Sequence, residues 1–467
     1  ENFHNRPDTI NSKMEHVIAG IGGPNGNQTW NIFDPLSNSP QLIEYIKGSE
    51  QSLRTSKLKS FNGIVRTSIR GNRVALGFQY RNESLDIQFN ELARAEFDTT
   101  GRLIKAADLL FLGGGMNVSK DRNKKSFFME IEKTLTDDLN LLFASRYEET
   151  ENESSIDPKL SINYRLSDQV SLRGSIGTSF ATASMAQLHS SEIALGGVRD
   201  VINGIEQTSS LFARIIQVGN PNLTPASSTN LNFGVNWNMN ENLSLSLDYW
   251  KINFKDRLEL EDPQAKISAN PNHPDIQRNQ YGDITAVSTT FFNEEKTEVK
   301  GLDFSLNYLK EMKNGNVINL GIHATHLFEF LTPEGISMVN RVGKFNYNSH
   351  THSLPRLKLN AFWGLTHKTT QYTINTRYID GYKNLRSLPS AAIANGYENK
   401  VDSFTVFDIG AKRVFNIKGN TLKLGLHLMN AFDEKPPLLY DAPDFSFDTR
   451  LHDPRGRLIN LSLDYEF

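Results

Sequence analysis

The chain has 467 residues, and its 50 Lys plus Arg against 53 Asp plus Glu exclude an overall electrostatic attraction to nucleic acid. It contains no cysteine, so neither a disulfide framework nor a thiolate metal site can form. No stretch approaches the roughly 18 consecutive apolar residues of a spanning helix, so only strands could carry this chain across a bilayer.

Residues 1–7 have neither an initiator Met nor the basic-then-apolar form of a signal peptide, and the sequence reads as a chain whose N-terminal part is missing. Residues 1–58 read as a large loop region that holds a short helix over Leu42 to Ile46. A second short helix is expected over Leu103 to Leu110. From residue 59 to 467 the main signal is alternation with period two, which marks strands with two unlike faces. Leu231, Phe233, Val235 and Trp237 alternate with Asn232, Gly234, Asn236 and Asn238. Leu243, Leu245, Leu247 and Tyr249 alternate with Ser244, Ser246, Asp248 and Trp250. Leu422, Leu424, Leu426 and Leu428 alternate with Lys423, Gly425, His427 and Met429. The last segment sets Ile459, Leu461, Leu463, Tyr465 and Phe467 against Asn460, Ser462, Asp464 and Glu466.

Counting such segments gives about fifteen strands. Short polar turns near residues 70–72, 136–138, 167–168, 240–242, 313–315, 368–369 and 418–420 alternate with longer connections at 88–121, 181–226, 257–284, 332–353, 384–400 and 434–453. Only the connection near 150–155 breaks the pattern. Short turns at one end and long loops at the other describe an all-β, large antiparallel transmembrane β-barrel. The segments fit the C-terminal part of a barrel of about 22 strands. Trp237 and Tyr249 lie near strand ends, where aromatic belts form.

No catalytic constellation is present, and the sequence points neither to an enzyme nor to a bound cofactor. Gly113-Gly114-Gly115 lacks a following Lys-Ser and reads as a flexible turn. His323 and His326 fall on opposite faces of one strand, whereas His350 and His352 could share a face without a third ligand, so no metal site is assigned. The run Lys120 to Lys125 reads as a solvated loop end, in a position to face lipopolysaccharide phosphates. Ligand contacts are expected from loop and upper-lumen aromatics: Trp30, Phe33, Tyr281, Phe291, Phe292, Tyr440, Phe445 and Phe447. Asn232, Asn236, Ser244, Ser246, Asp248, Lys412 and Lys423 are expected to line the lumen.

Several stretches resemble the TonB-dependent receptors. Gly219-Asn220-Pro221-Asn222-Leu223-Thr224-Pro225 is similar to a segment that leads into a central barrel strand of that family, with Ala226 where Glu is usual. Asp248-Tyr249-Trp250-Lys251-Ile252 and Val299-Lys300-Gly301-Leu302-Asp303-Phe304-Ser305 resemble a strand end and a strand start. Asn430-Ala431-Phe432-Asp433 with Pro436-Pro437, and His452-Asp453-Pro454-Arg455-Gly456-Arg457, resemble the segments before the closing strand. Asn31-Ile32-Phe33-Asp34-Pro35-Leu36 is similar to a large extracellular loop of the sugar- and polymer-importing branches. The closing Tyr465 and Phe467 look like the signal read by the barrel-assembly machinery.

The resemblance implies energy-coupled uptake of a scarce nutrient, a carbohydrate or an iron–siderophore ligand, across the outer membrane of a Gram-negative bacterium. It implies partners too: the TonB-ExbB-ExbD complex, acting through a plug and a short box that this sequence does not contain, together with lipid, lipopolysaccharide and a small nutrient ligand. Three other readings stay open at this point: a passive porin-like channel, a soluble β-rich protein such as a carbohydrate-binding module, and a remnant unable to close a barrel.

Overall fold

The computed structural model describes residues 2–98, 101–109, 113–150, 153–346, 352–440 and 445–467. One antiparallel meander runs through the whole chain. Its strands are β1 (Asn2–Ile10), β2 (Lys47–Ile69), β3 (Asn72–Phe89), β4 (Val118–Thr136), β5 (Leu139–Glu149), β6 (Ser154–Arg165), β7 (Val170–Ala181) and β8 (Ala226–Asn240). They continue as β9 (Leu243–Leu260), β10 (Ile284–Glu311), β11 (Val317–Glu334), β12 (Leu357–His367), β13 (Thr370–Ile379), β14 (Phe404–Ile417), β15 (Asn420–Met429) and β16 (Leu458–Glu466). Each strand pairs antiparallel with the next in sequence. Among the described residues β1 pairs only with β2 and β16 only with β15, so the sheet has two free edges. Residue 58 falls inside β2, whose first residues hydrogen-bond to β1.

Local chemistry sets the connections. Arg70 and Gly71, and again Lys418 and Gly419, all have positive φ. That is the geometry of a two-residue turn whose twist matches the strands it joins. At the other end the wall strands are separated by long connections, residues 90–117, 182–225, 261–283, 335–356, 380–403 and 430–457.

The register separates two chemistries. One row across eight strands reads Tyr164, Leu172, Val235, Leu247, Phe304, Ala324, Leu359, Tyr378. The row one residue away reads Asn163, Arg173, Gly234, Asp248, Asp303, Thr325, Lys358, Ile379. A slip of one residue would exchange these faces, so the pattern pins the pairing. The apolar face is exposed at Ile176, Leu231, Phe233, Trp237 and Leu247, as a lipid-facing surface requires. Asn232, Asn236, Ser244, Ser246 and Asp248 all lie on the opposite, inward face, and so do Lys412 and Lys423. Among the described residues no helix is long and apolar enough to cross a membrane.

Gly301 shows how tightly the inward face is fitted. A Cβ there would sit 2.5 Å from the Trp250 ring and 2.8 Å from the His326 carbonyl oxygen, beside a bulge between β10 and β11. Gly301→Ala is therefore expected to cost about 2 kcal/mol. A lower urea midpoint for refolding into detergent would register it, and an unchanged midpoint would show that the bulge relaxes freely.

The buried core lies in the loops rather than in the wall. Helices α1 (Lys13–Ile18) and α2 (Pro40–Ile46) pack through Met14, Val17, Leu42 and Ile46 against Trp30. The helix expected at Leu103 to Leu110 does not form over its first turn. Leu103–Lys105 is instead a strand paired with Glu96–Phe97, while Leu110 lies outside the described residues. Gly113-Gly114-Gly115 is a close approach and not a free turn: Gly114–Gly115 pairs with Ile193 and Glu192, and a Cβ on Gly115 would meet the Phe89 ring at 2.8 Å.

Candidate functional site

Three of the long connections fuse into one sheet above the wall. The first residues of β10 outrun β9 and pair in parallel with Leu211–Val218, from Arg214 opposite Ala286 to Val218 opposite Thr290. Leu211–Val218 pairs on its other edge with Glu192–Val198, which reaches Gly114–Gly115, while Ile276–Arg278 joins β10 on the far side. Both faces of this sheet are covered. Val198, Ala213, Ile215, Ile267, Ile276, Ile284 and Val287 form one cluster, and Ala95, Ile193, Ile216, Val218 and Ala286 the other.

A third cluster gathers Phe345, Tyr382, Val401 and Leu439 from the connections at 335–356, 380–403 and 430–457. His452 is buried there, edge-on to Phe404 at 5.0 Å and with its Nε2 3.5 Å from the Tyr382 hydroxyl. Burial lowers the His452 pKa to about 4 and raises that of Tyr382 to about 12.

Charged side chains join this third cluster to the 182–225 connection of the loop sheet. Arg386 Nη2 lies 2.9 Å from Glu206 Oε1. Arg199 donates to the Tyr440 hydroxyl at 3.1 Å, with its guanidinium 5.4 Å from that ring, and Tyr397 meets the same ring edge-on at 5.8 Å. Asn384 donates to the Tyr440 carbonyl at 2.9 Å. Beside them Arg278 grips Asp200 through both carboxylate oxygens at 2.6 and 2.8 Å, which holds the Asp200 carboxyl below its usual range. Asp200→Asn is expected to loosen this junction by about 2 kcal/mol. Faster proteolysis within residues 261–283 would report it, and equal cleavage rates would count against the role.

The sequence-predicted contact residues divide. Tyr440 stands in the junction just described. Phe291 and Phe292 pair with Leu260 and Glu259 at the top of β10. Phe445 and Phe447 stack at 5.7 Å. Trp30 packs in the α1–α2 cluster, and Phe33 and Tyr281 are exposed and separate from it. Arg199, Asp200, Glu206, Arg278, Arg386 and Tyr397 went unnoticed in the sequence. The one available signal was a charged pair set among β-branched residues, Val198-Arg199-Asp200-Val201-Ile202.

Lower down, a cavity of about 470 Å³ opens on the inward face between Glu132, Asn140, Ser161, Asn163, Arg173, Asn232 and Asp248. Arg173 pairs with Asp248 there, and Lys423 with Glu466 further round. His323 points inward to Ser305 at 3.0 Å while His326 falls on the opposite face, and His350 lies outside the described residues. The run Lys120 to Lys125 corrects the reading as a loop end. It forms part of β4, with Lys120, Arg122 and Lys124 inward and Lys125 outward.

The resemblance-bearing motifs fasten loop bases. A Cβ on Gly219 would meet Ser190 O at 2.7 Å. Asn220 bonds from its backbone to Gln187 O at 2.8 Å and from its side chain to Phe291 O at 2.9 Å, while Pro221 stays at the surface. Asp453 accepts both backbone and side-chain bonds from Arg455 across Pro454, and its pKa falls to about 2. Gly456 has φ +69, and a Cβ there would meet Asp433 Oδ1 at 2.7 Å; the same oxygen accepts the Arg457 N–H at 2.9 Å. Tyr465 and Phe467 lie 6.0 Å apart, with Asn420 donating to the Tyr465 hydroxyl at 2.7 Å.

The family model described as TonB dependent receptor-like, beta-barrel matches residues 20–431. The chain belongs to the TonB-dependent receptors. No curated protein matches its sequence. Among solved structures, this TonB-dependent receptor barrel resembles the ferric enterobactin receptor PfeA of Pseudomonas aeruginosa, a mutant in complex with enterobactin. The TM-score is 0.61 at 15% identity, over 99% of this chain and 58% of that one. It also resembles the siderophore receptor PirA of Acinetobacter baumannii, with TM-score 0.60 at 15% identity, over 100% and 59% of the two chains. The chain thus spans somewhat more than half the length of the receptors it matches.

Proposed function

We propose that this chain is the barrel and loop portion of an outer-membrane receptor that takes up a scarce nutrient with energy from the TonB-ExbB-ExbD complex. In this reading the short turns face the periplasm and the long loops face the outside of a Gram-negative cell. The nutrient is a siderophore-type iron chelate or an oligosaccharide. The observation that carries the reading is the sheet built jointly by three long loops above a wall with a polar inner face. Such a cap ties loops from distant parts of the chain together above the wall, where a ligand would first be met. Arg199, Tyr397 and Tyr440 supply hydrogen-bond donors and ring faces suited to an oxygen-rich ligand. PfeA and PirA, named as receptors for ferric enterobactin and for a siderophore, favour the iron chelate.

Coupling in this reading runs through a plug and box outside this sequence, and the barrel-assembly machinery folds the wall into the lipid. The test is uptake of radioiron chelates by iron-starved cells that produce the full receptor. Accumulation that a protonophore abolishes is the expected result. Steady flux indifferent to the protonophore would mean a passive channel instead.

A further inference from the structure

Five asparagines in the chain precede a glycine: Asn25, Asn62, Asn203, Asn314 and Asn395. At such a pair the glycine nitrogen can attack the asparagine side-chain carbon, because no Cβ shields its approach. Two conditions decide whether a fold allows it. The attacking N–H must be free to give up its proton, and the side-chain amide must be free to turn. A hydrogen bond on either group opposes the reaction, and four of the five pairs are tied in this way. Gly26 donates its N–H to the Gly23 carbonyl at 3.0 Å, Gly315 to Met312 at 2.8 Å and Gly396 to Ile393 at 3.0 Å. The Asn314 side-chain oxygen also accepts the Asn316 N–H at 3.1 Å, and Asn395 Nδ2 donates to the Ala391 carbonyl at 2.8 Å. Asn62 lies inside β2, paired with β3, and its side-chain oxygen accepts from Gln79 at 2.7 Å.

Asn203 differs from all four. With Gly204 it forms the exposed tip of a hairpin in which Val201 pairs with Glu206 and Ile202 with Ile205. Their φ values of 54° and 78° mark the two-residue turn that Asn-Gly favours. Among the described residues neither the Gly204 N–H nor the Asn203 side chain makes a hydrogen bond. Nothing lies within 4 Å of a Cβ built on Gly204, so the tip is open to water. The hairpin is anchored at its base. Arg278 grips Asp200, three residues before Asn203, and Arg386 holds Glu206, three residues after it, at 2.9 Å.

We propose that Asn203 is a site of spontaneous deamidation that loosens this junction as the receptor ages. The Gly204 nitrogen loses its proton to solvent and bonds to Asn203 Cγ. The bond from Cγ to the side-chain nitrogen breaks, and ammonia leaves with a proton returned by solvent. One water then opens the five-membered imide at either carbonyl, leaving an aspartyl or an isoaspartyl linkage at position 203. Nothing is oxidised or reduced, and water is the only co-reactant. Both products place a new negative charge three residues from Glu206. The isoaspartyl product also adds an atom to the backbone, so the turn no longer sets Ile202 opposite Ile205 and Glu206 is not delivered to Arg386. The reaction does not depend on what the receptor carries.

The experiment incubates the purified receptor in lipid at mildly alkaline pH, beside the same chain unfolded in urea. Peptide mass spectrometry follows all five pairs, with fragmentation that separates aspartyl from isoaspartyl. In the folded receptor position 203 should convert roughly fivefold faster than any other pair, the factor that one net hydrogen bond is worth. In urea the five rates should converge. A rate at position 203 no higher than the rest overturns the inference. So does a preference that persists in urea, which would belong to the neighbouring residues and not to the fold. Asn203→Gly keeps a turn that tolerates positive φ and has no side-chain amide. Protease cleavage within residues 199–206 should rise with isoaspartate in the parent and stay flat in Asn203→Gly. An equal rise in both would overturn the loosening.

Discussion

Leu247→Arg is expected to cost the barrel about 2–4 kcal/mol, the penalty of a cation on the lipid face near the bilayer midplane. Leu247 sits midway up an outward column that begins at Leu243 and Leu245 and ends at Tyr249, and it faces Val235 and Phe304 on the neighbouring strands. Only acyl chains are available to solvate a guanidinium there. Ser244→Arg, three residues away on the inward face, stands opposite Asn238 and Asn307 and should cost far less, because water and polar groups receive it. Paired urea titrations of the two variants, refolded into the same lipid, make the comparison. Equal losses would mean that the two faces are wrongly assigned, and with them the lumen.

Acid should loosen the C-terminal loop cluster through His452. The residue is buried, and its pKa of about 4 in the fold lies below the ordinary histidine value near 6.5. Below pH 6.5 the opened loop binds a proton that the closed loop refuses. Closure is therefore fully favoured above pH 6.5 and weakens as pH falls toward 4, by about 3 kcal/mol over that window. Amide exchange within residues 430–457, corrected for the intrinsic pH dependence, should show protection lost across the interval. His452→Gln should flatten the profile. Protection that holds steady in the parent chain from pH 7 to pH 4 would end this account.

The wall was legible because each strand has one wet and one oily face. Leu243 to Trp250 could be read from polarity alone, and the turns at Arg70-Gly71 and Lys418-Gly419 from their need for positive φ. The cap was not legible. Ile215 and Ile216 are both buried, on opposite faces of a strand covered on both sides, so no alternation marks it. Its partner segment begins at Ile284, across two intervening wall strands. Lys120 to Lys125 misled for a different reason: six polar residues in a row look solvated until the period-two geometry sends half of them inward. Of the candidate ligand contacts, Tyr440 drew its neighbours from distant loops, Arg199 and Tyr397, a grouping that no local pattern encodes.

The parallel pairing of Leu211–Val218 with the head of β10 also dictates an order of assembly. Hairpins such as β8 with β9 close over a few residues and can form as soon as both halves are present. The parallel seam must wait for residues 226–283 to be threaded between its partners, and contacts of such long sequence separation form late. The cap is thus expected to mature late, after its flanking strands have met the lipid. Its rate of appearance, followed by protease resistance at residues 192–218, should lag behind wall formation and leave a transient wall that is already embedded but not yet covered.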